Sequence, residues 1–165
     1  HPHMTALPKM NGLIDLASVE RPGEVDVYLC GKAKFYFGSL SGPDALAIGF
    51  GTKVLATNCN HYGYNIPNSL HQLLPFYNLN RNEFASVRNI EELKLNSTLS
   101  QKPFLDRNLI PKAPDSCHHL ESVKEMIEFL EGGKIYHANK EMKVRTNRQD
   151  LLTCYTSKSL ALFYD

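Results

Sequence analysis

The sequence has no tryptophan, only four cysteines and almost no net charge, and these absences narrow the classes of protein it can be. The cysteines contain no Cys-x-x-Cys pair, so a disulfide framework is disfavoured and reduced thiols are expected. No stretch approaches the roughly 20 apolar residues of a membrane-spanning helix. The first residues also lack the basic-then-apolar layout of a secretory signal. We therefore expect a cytoplasmic protein with no membrane span.

Charge gives no argument for a nucleic-acid or membrane partner. The 18 Lys and Arg residues nearly balance the 17 Asp and Glu residues, which leaves a net charge of +1. One stretch, Lys134 to Arg148, carries a local excess of four positive charges. Because Tyr136 is its only aromatic residue, it lacks the stacking platform of a single-strand binder. A solvated basic face is the favoured interpretation, and a cation that reaches a bound diphosphate is the alternative.

The composition itself is typical of a globular protein. The chain has 165 residues, of which 42% are hydrophobic and 21% are charged, enough to bury one substantial core. We expect residues 1–165 to form a single α/β domain, with a parallel sheet flanked by helices.

The clearest pattern is strand, helix, strand between Phe35 and Thr57. The aromatic run Lys34–Gly38 and the β-branched run Lys53–Thr57 predict buried strands. Asp44–Phe50 predicts a helix, with Pro43 at its first position, Ser41 or Gly42 as its cap and Gly51 past its end. The roughly dozen intervening residues suit a parallel crossover.

Other segments give weaker signals. The sequence predicts a strand over Gly12–Ala17, a helix over Glu24–Ala33, a short helix or turn over Ser69–Leu79, a brief helix over Asn89–Leu95 and a long connection over Asn96–Pro114. A longer helix is predicted from Ser116 to a stop at Gly132-Gly133, with Leu120, Val123, Ile127 and Leu130 on its apolar face. Lys134–Asp165 predicts either two short strands or a terminal helix.

The loop after the first aromatic strand could bind an anion. Small residues that lead into a helix expose unsatisfied backbone amides, and the helix dipole adds positive potential there. Gly38 and Gly42 would allow close approach, and the hydroxyls of Ser39 and Ser41 would add donors. Asp44 lies in the first turn and would repel a phosphate if it faced one. The alternative is a tight turn without a ligand, since neither the dinucleotide fingerprint nor the P-loop pattern is present.

A second polar loop, Asn58–Asn68, follows the second strand. It is aromatic and rich in turn residues, and open α/β sheets place ligand sites at the carboxyl ends of their strands.

Several of these segments together resemble a known family. The segments Met4–Pro8, Gly12–Ala17, Val25–Gly42 and Phe50–Asn58 are similar to the C-terminal half of a bacterial family of glycosyltransferases of the GT-B type. The likeness covers residues 4–68, and its centre is the Ser-Gly-Pro loop between an aromatic strand and an apolar helix ending in Phe-Gly. Enzymes of this type have two Rossmann-like domains that face a cleft, and the C-terminal domain holds most of the nucleotide-sugar donor.

The resemblance implies roles for particular residues. Ser39, Ser41, Gly42 and Pro43 would line the donor diphosphate site, and Asn58 would border the sugar or the acceptor.

The first four residues, His1 to Met4, have two interpretations: a remnant of cloning, or native sequence that forms a loop beside the nucleotide cleft. The resemblance implies the second and places His3 among the donor-binding residues.

The resemblance also implies that the chain is a fragment without its N-terminal domain. The catalytic base of these enzymes comes from that half, so no base is assigned here. Because the helix would stabilise the leaving group, no metal is expected.

Histidines and cysteines offer two further possibilities. Cys59-x-His61 and Cys117-His118-His119 contain metal-capable atoms, but they lack a recognised zinc spacing, so solvated or core positions are favoured. A nucleophilic Cys59 or Cys117 would make the chain a hydrolase. The sequence thus leaves three hypotheses: a nucleotide-sugar binding half of a glycosyltransferase, a non-enzymatic α/β interaction module and, with the least support, a cysteine hydrolase.

Overall fold

The fold is built on a parallel sheet flanked by helices. The computed structural model describes residues 7–17, 19–60, 69–95, 100–132 and 155–156. Three parallel strands, β1 (Phe35–Ser39), β2 (Lys53–Cys59) and β3 (Ser69–Leu73), lie in that order. Tyr155–Thr156 pairs parallel with β3. This arrangement confirms the predicted α/β class and is Rossmann-like in its parallel, helix-flanked strands.

The strand–helix–strand unit forms as predicted. Helix α2 (Gly42–Gly49) connects β1 to β2, and the two strands pair in parallel from Phe35 opposite Lys53 to Ser39 opposite Thr57. Ser41 is the N-cap, proline lies in the first turn, and Gly51 follows the helix with a φ of 78°, a left-handed value that suits glycine.

The predicted first helix is also present, as α1 (Gly23–Lys32). It packs against α2 at Gly31, where an added Cβ would lie 3.1 Å from the Phe50 ring. Glycine therefore sets how closely the two helices approach.

The predicted strand over Gly12–Ala17 is wrong. Among the described residues this segment has no sheet neighbour, and Ile14 is 79% exposed. Its backbone bonds locally instead, because the Asp15 carboxylate accepts from the N–H groups of Leu7 and Ala17. An apolar run alone does not make a strand when no partner strand can pair with it.

The predicted short helix or turn over Ser69–Leu79 is also wrong. The segment forms β3 and then β4 (Phe76–Asn78), and Pro75 lies between the two strands. All five residues of β3 are buried. A strand covered on both faces shows no polar alternation, which is why its sequence resembles an apolar turn or helix.

A second, smaller sheet follows and is antiparallel. Strand β4 lies between β5 (Glu83–Phe84) and β6 (Leu109–Pro111). Helix α3 (Val87–Glu92) begins two residues before the predicted brief helix. Helix α4 (Lys102–Leu105) and β6 both lie inside the stretch predicted to be a connection.

Helix α5 (Ser116–Leu130) forms where it was predicted, but its buried face differs. Leu120 is 54% exposed and Ile127 is 37% exposed, whereas Ser122, Glu125 and Met126 are buried. Met126 packs with Leu55 and Leu70 on one side of the parallel sheet, while the larger core cluster lies with α2 and the small sheet.

The direction of α5 positions its first turn. Near the end of α5, the Phe129 ring lies 5.5 Å from the ammonium of Lys53, at the start of β2. Near its beginning, the ring centroid of His119 lies 6.1 Å from that of Phe37 in β1. The helix thus begins toward the carboxyl ends of the parallel strands.

The prediction of strands or a helix over residues 134–165 lies outside the described residues, apart from the two residues paired with β3. In the part of the chain that is described, no helix has both the length and the apolar character to cross a bilayer.

Candidate functional site

The carboxyl ends of β1 and β2 lie side by side at one edge of the parallel sheet. Ser39 pairs with Thr57, and Asn58 is the next residue along β2. Asn58 is exposed and has a φ of 53°, a left-handed conformation that asparagine tolerates better than most residues. Ser39 and Asn58 therefore lie at the same end of the parallel strands, the end at which parallel α/β folds bind their ligands.

The loop from Ser39 to Pro43 extends this edge. Ser39, Ser41, Gly42 and Pro43 are all exposed, whereas Leu40 between them is half-buried against the core. Five of the six predicted binding residues thus gather at one edge. The sixth, His3, lies outside the described residues.

Asp44 turns back onto the loop. Its carboxylate is buried and accepts a hydrogen bond of 2.7 Å from the Ser41 backbone N–H, forming a capping box with that residue. The Ser41 amide is therefore already occupied, and Pro43 has no N–H. Gly42 is the first helical residue, and helix geometry offers its N–H no acceptor.

Fewer donors are therefore open to a ligand at this loop than the sequence predicts. They are the Gly42 amide and the hydroxyls of Ser39 and Ser41, rather than several amides. The nearby Asp44 carboxylate also offsets part of the positive potential of the helix N-terminus.

Gly38 in β1 and Gly42 at the start of α2 have different surroundings. A Cβ added at Gly42 would meet no atom within 4 Å, so the approach to its backbone is open. A Cβ added at Gly38 would lie 2.7 Å from the Tyr36 hydroxyl. Gly38 therefore makes room for the Tyr36 side chain.

The first turn of α5 adds polar groups on the other face of the sheet. The Asp115 carboxylate caps the helix by accepting from the His118 backbone N–H at 3.0 Å, and it lies 2.7 Å from the His118 Nδ1. The backbone N–H of His118 is the main cause that holds the pKa of Asp115 below its usual value. His119 meets Phe37 edge to face, and the buried Nδ1 of His119 has no hydrogen-bond partner within the described residues.

Sequence reasoning placed His118 and His119 in the first turn of a helix, and the structure confirms this position. It did not place them beside β1. The Asp-Ser-Cys-His-His order signals a helix start, but only the packing of α5 on the sheet brings that start to the carboxyl edge.

The described cysteines are free thiols in different environments. Cys59 is buried at the end of β2, Cys30 is half-buried and Cys117 is exposed at the start of α5. The predicted partner of Cys59, His61, lies outside the described residues. Among the residues whose positions are described, no three His, Cys, Asp or Glu side chains converge to hold a metal ion.

The pKa of the buried His71 is strongly perturbed. His71 lies in β3 beside Ala56, and only 2% of its surface is exposed. Burial lowers the pKa of His71 from 6.5 to about 4, because a charged imidazole would lose its hydration there. Its buried Nε2 has no hydrogen-bond partner in the described part of the chain.

Comparison with known proteins gives no assignment for this arrangement. The chain matches no protein-family model, no curated protein and no solved structure in the three comparisons made.

Proposed function

We propose that the carboxyl edge of β1 and β2 binds a nucleotide-sugar, and that the chain is the donor-binding half of a glycosyltransferase of the GT-B type. The observation that supports this most is the exposed loop from Ser39 to Pro43, which lies beside Asn58 at the end of a parallel strand pair. The Gly42 amide and the Ser39 and Ser41 hydroxyls would donate to diphosphate oxygens. The Asn58 carboxamide would bond sugar hydroxyls.

The transfer reaction determines what these donors do. When the sugar leaves, the bond between its anomeric carbon and the diphosphate oxygen breaks, and negative charge grows on the diphosphate. Hydrogen-bond donors already aimed at those oxygens stabilise that charge without reorganising. The transfer would need no metal if such donors and nearby cations suffice.

Because of the Asp44 carboxylate, this loop alone does not balance the negative charge of a diphosphate. The negative charge of Asp44 lies one turn from the proposed diphosphate, so further positive charge must come from another part of the protein. The basic stretch Lys134–Arg148, outside the described residues, is one source, and a second domain is another. The proposal also takes the catalytic base from that second domain, so the isolated chain should bind the donor without turning it over.

Calorimetric titration of the chain with UDP, ADP and GDP tests the proposal. At least one should give saturable heat, and Gly42→Asp should weaken its binding by about tenfold or more, because a carboxylate then faces the diphosphate. The open space at Gly42 means that the substitution creates no clash.

Gly23→Asp is the matched control. Gly23 is also the first residue of a helix, and a Cβ there also meets nothing within 4 Å. This variant should bind the nucleotide as the unaltered chain does. No saturable heat with any of the three nucleotides, or equal losses in the two variants, would contradict the proposal.

A second candidate function, an interaction module, is favoured by the exposed apolar surface of α1. This helix has no buried residue, and Tyr28 is 64% exposed. Phe50, which follows the adjoining α2, is 56% exposed. Sedimentation of the unaltered chain and of Tyr28→Ser separates the candidates, because an interface between copies should dissociate in the variant while nucleotide binding should not change.

A further inference from the structure

A second candidate site lies in the smaller sheet, away from the carboxyl edge of β1 and β2. A cavity of about 300 Å³ opens between the β4–β5 turn, α3 and the turn before β6. Its apolar lining includes the buried residues Ala85 and Leu109. Its polar lining consists of three asparagines, two arginines and one glutamate: Asn78, Asn80, Asn89, Arg81, Arg107 and Glu92.

The asparagine oxygens are already used by the protein. The Oδ1 of Asn78 accepts from the backbone N–H groups of Asn80 and Arg81, at 2.9 and 3.1 Å. The Oδ1 of Asn89 accepts from the Ser86 N–H at 3.1 Å. Because a backbone N–H can only donate, the acceptor in each contact must be the oxygen, which fixes the orientation of both carboxamides.

The other polar group of each asparagine side chain is its NH2 group, which is a hydrogen-bond donor. Within the described residues, the structure gives no partner to the NH2 groups of Asn78 and Asn89. The Asn80 and Asn108 carboxamides lie 3.3 Å apart. The Asn78 and Asn89 carboxamides that line the cavity therefore have oxygens that already accept from the backbone and NH2 groups without a partner among the described residues.

The charged side chains of the lining also supply more free donors than free acceptors. Arg107 donates only to the Pro103 carbonyl among the described residues, and Arg81 lies 3.8 Å from an exposed Glu83. The one acid in the lining, Glu92, is paired with Arg88 at 3.0 Å. Arg81 is thus paired with Glu83 and Glu92 with Arg88, and Arg107 is the guanidinium of the lining that has no carboxylate partner among the described residues.

A donor-rich cavity of this kind fits an anion with several acceptor oxygens. The donors come from three separate elements, so they approach from different directions. A phosphate presents oxygens in several directions, whereas a planar carboxylate is matched by a single guanidinium fork. Ala85 and Leu109 provide an apolar surface for carbon atoms, and about 300 Å³ is the lower end of the range for ligand pockets, so the ligand is compact.

We propose that this cavity binds a small organic phosphate, a phosphomonoester of a compact carbon skeleton. This inference does not depend on the proposed nucleotide site, because it uses none of the same residues.

Titration of the full chain with ribose 5-phosphate tests it, with ribose as the probe that lacks the phosphate. Ribose 5-phosphate should give saturable binding and ribose should give none. Asn89→Asp and Asn78→Asp should each weaken binding by about tenfold or more, because each replaces a donor by a negative oxygen. Both variants keep the oxygen that accepts from the backbone, so the local fold should survive.

Asn82→Asp is the matched control. Its Oδ1 accepts from the Tyr77 hydroxyl at 2.7 Å, and the side chain does not line the cavity. This variant should bind ribose 5-phosphate normally, as should Gly42→Asp, which tests the other site. A melting temperature for each variant confirms that it is folded. The proposal is overturned by an absence of saturable binding, by equal binding of ribose, or by losses in Asn82→Asp equal to those in Asn89→Asp.

Discussion

The Gln72 side chain in β3 donates hydrogen bonds to the Ser122 hydroxyl at 2.9 Å and to the His118 carbonyl at 3.1 Å. Gln72 and Ser122 are both fully buried. A side chain of the parallel sheet thereby bonds to the first two turns of α5 and fixes where that helix begins, beside the carboxyl edge of the sheet.

Replacing this donor should weaken the whole fold. Gln72→Glu removes both donated bonds and buries a carboxylate, so we expect a loss of about 2–3 kcal/mol in the free energy of unfolding at pH 7. Urea denaturation measures it. Gln101→Glu makes the same change on an exposed side chain and should have little effect. Equal effects in the two variants would mean that Gln72 does not hold α5 in place.

Asp44 has two separable effects, one on stability and one on charge. Asp44→Ala loses the bond to the Ser41 N–H and should destabilise the chain by about 1 kcal/mol. Asp44→Asn keeps an oxygen that can accept this bond and removes the negative charge, so it should be nearly as stable as the unaltered chain. It should also bind a nucleoside diphosphate more tightly. Urea denaturation and calorimetric titration give the two results, and weaker nucleotide binding in Asp44→Asn would contradict the proposed position of the diphosphate.

The buried His71 should make stability fall in acid. The pKa of His71 is about 4 in the folded chain and 6.5 in the unfolded chain. Between these two pH values the imidazole is therefore protonated in the unfolded chain and neutral in the folded chain. The free energy of unfolding should therefore decrease from about pH 6.5 to about pH 4, by on the order of 3 kcal/mol, and this contribution should level off below pH 4. Denaturation of His71→Leu across this range should show a shallower decrease. Parallel curves for the two proteins would refute the assignment.

A stacked pair of aromatic rings lies in the core beside the smaller sheet. The rings of Phe76 in β4 and Phe104 in α4 are stacked, with centroids 4.0 Å apart and an angle of 9° between their planes. Both are fully buried, so Phe104→Ala should cost about 3–5 kcal/mol in unfolding free energy. Leu105→Ala, at the next and 48% exposed residue, should cost far less. Thermal denaturation of both variants checks this, and similar costs would show that the pair is not part of a packed core.

Local signals explain which parts of the fold the sequence predicts. The unit from Phe35 to Thr57 is predictable because aromatic and β-branched runs are separated by Ser-Gly-Pro and Phe-Gly, which specify a turn and a helix end. The strand at Ser69–Leu73 is not, because burial on both faces removes the alternation that marks a strand. At Gly12–Ala17 the sequence predicts a strand that does not form. The run is apolar, but the described residues give it no neighbouring strand with which to pair.

The candidate sites also contain some features that the sequence predicts and others that it does not. The positions of Ser39 and Asn58 at one edge follow from the parallel pairing of their strands, which the sequence predicts. The capping by Asp44 is also a local pattern, Ser41-x-x-Asp44, which the sequence contains. In contrast, the approach of His119 to Phe37 depends on distant parts of the chain that meet only when it folds. The cavity of the smaller sheet depends on such contacts as well.

The most direct test of the account is the amide spectrum of the 15N-labelled chain during titration with the nucleoside diphosphate that binds best. The account predicts that the Gly42 and Ser39 amide signals shift with a common saturation curve while the Gly23 signal stays in place. Shifts that leave Gly42 and Ser39 unmoved would contradict it.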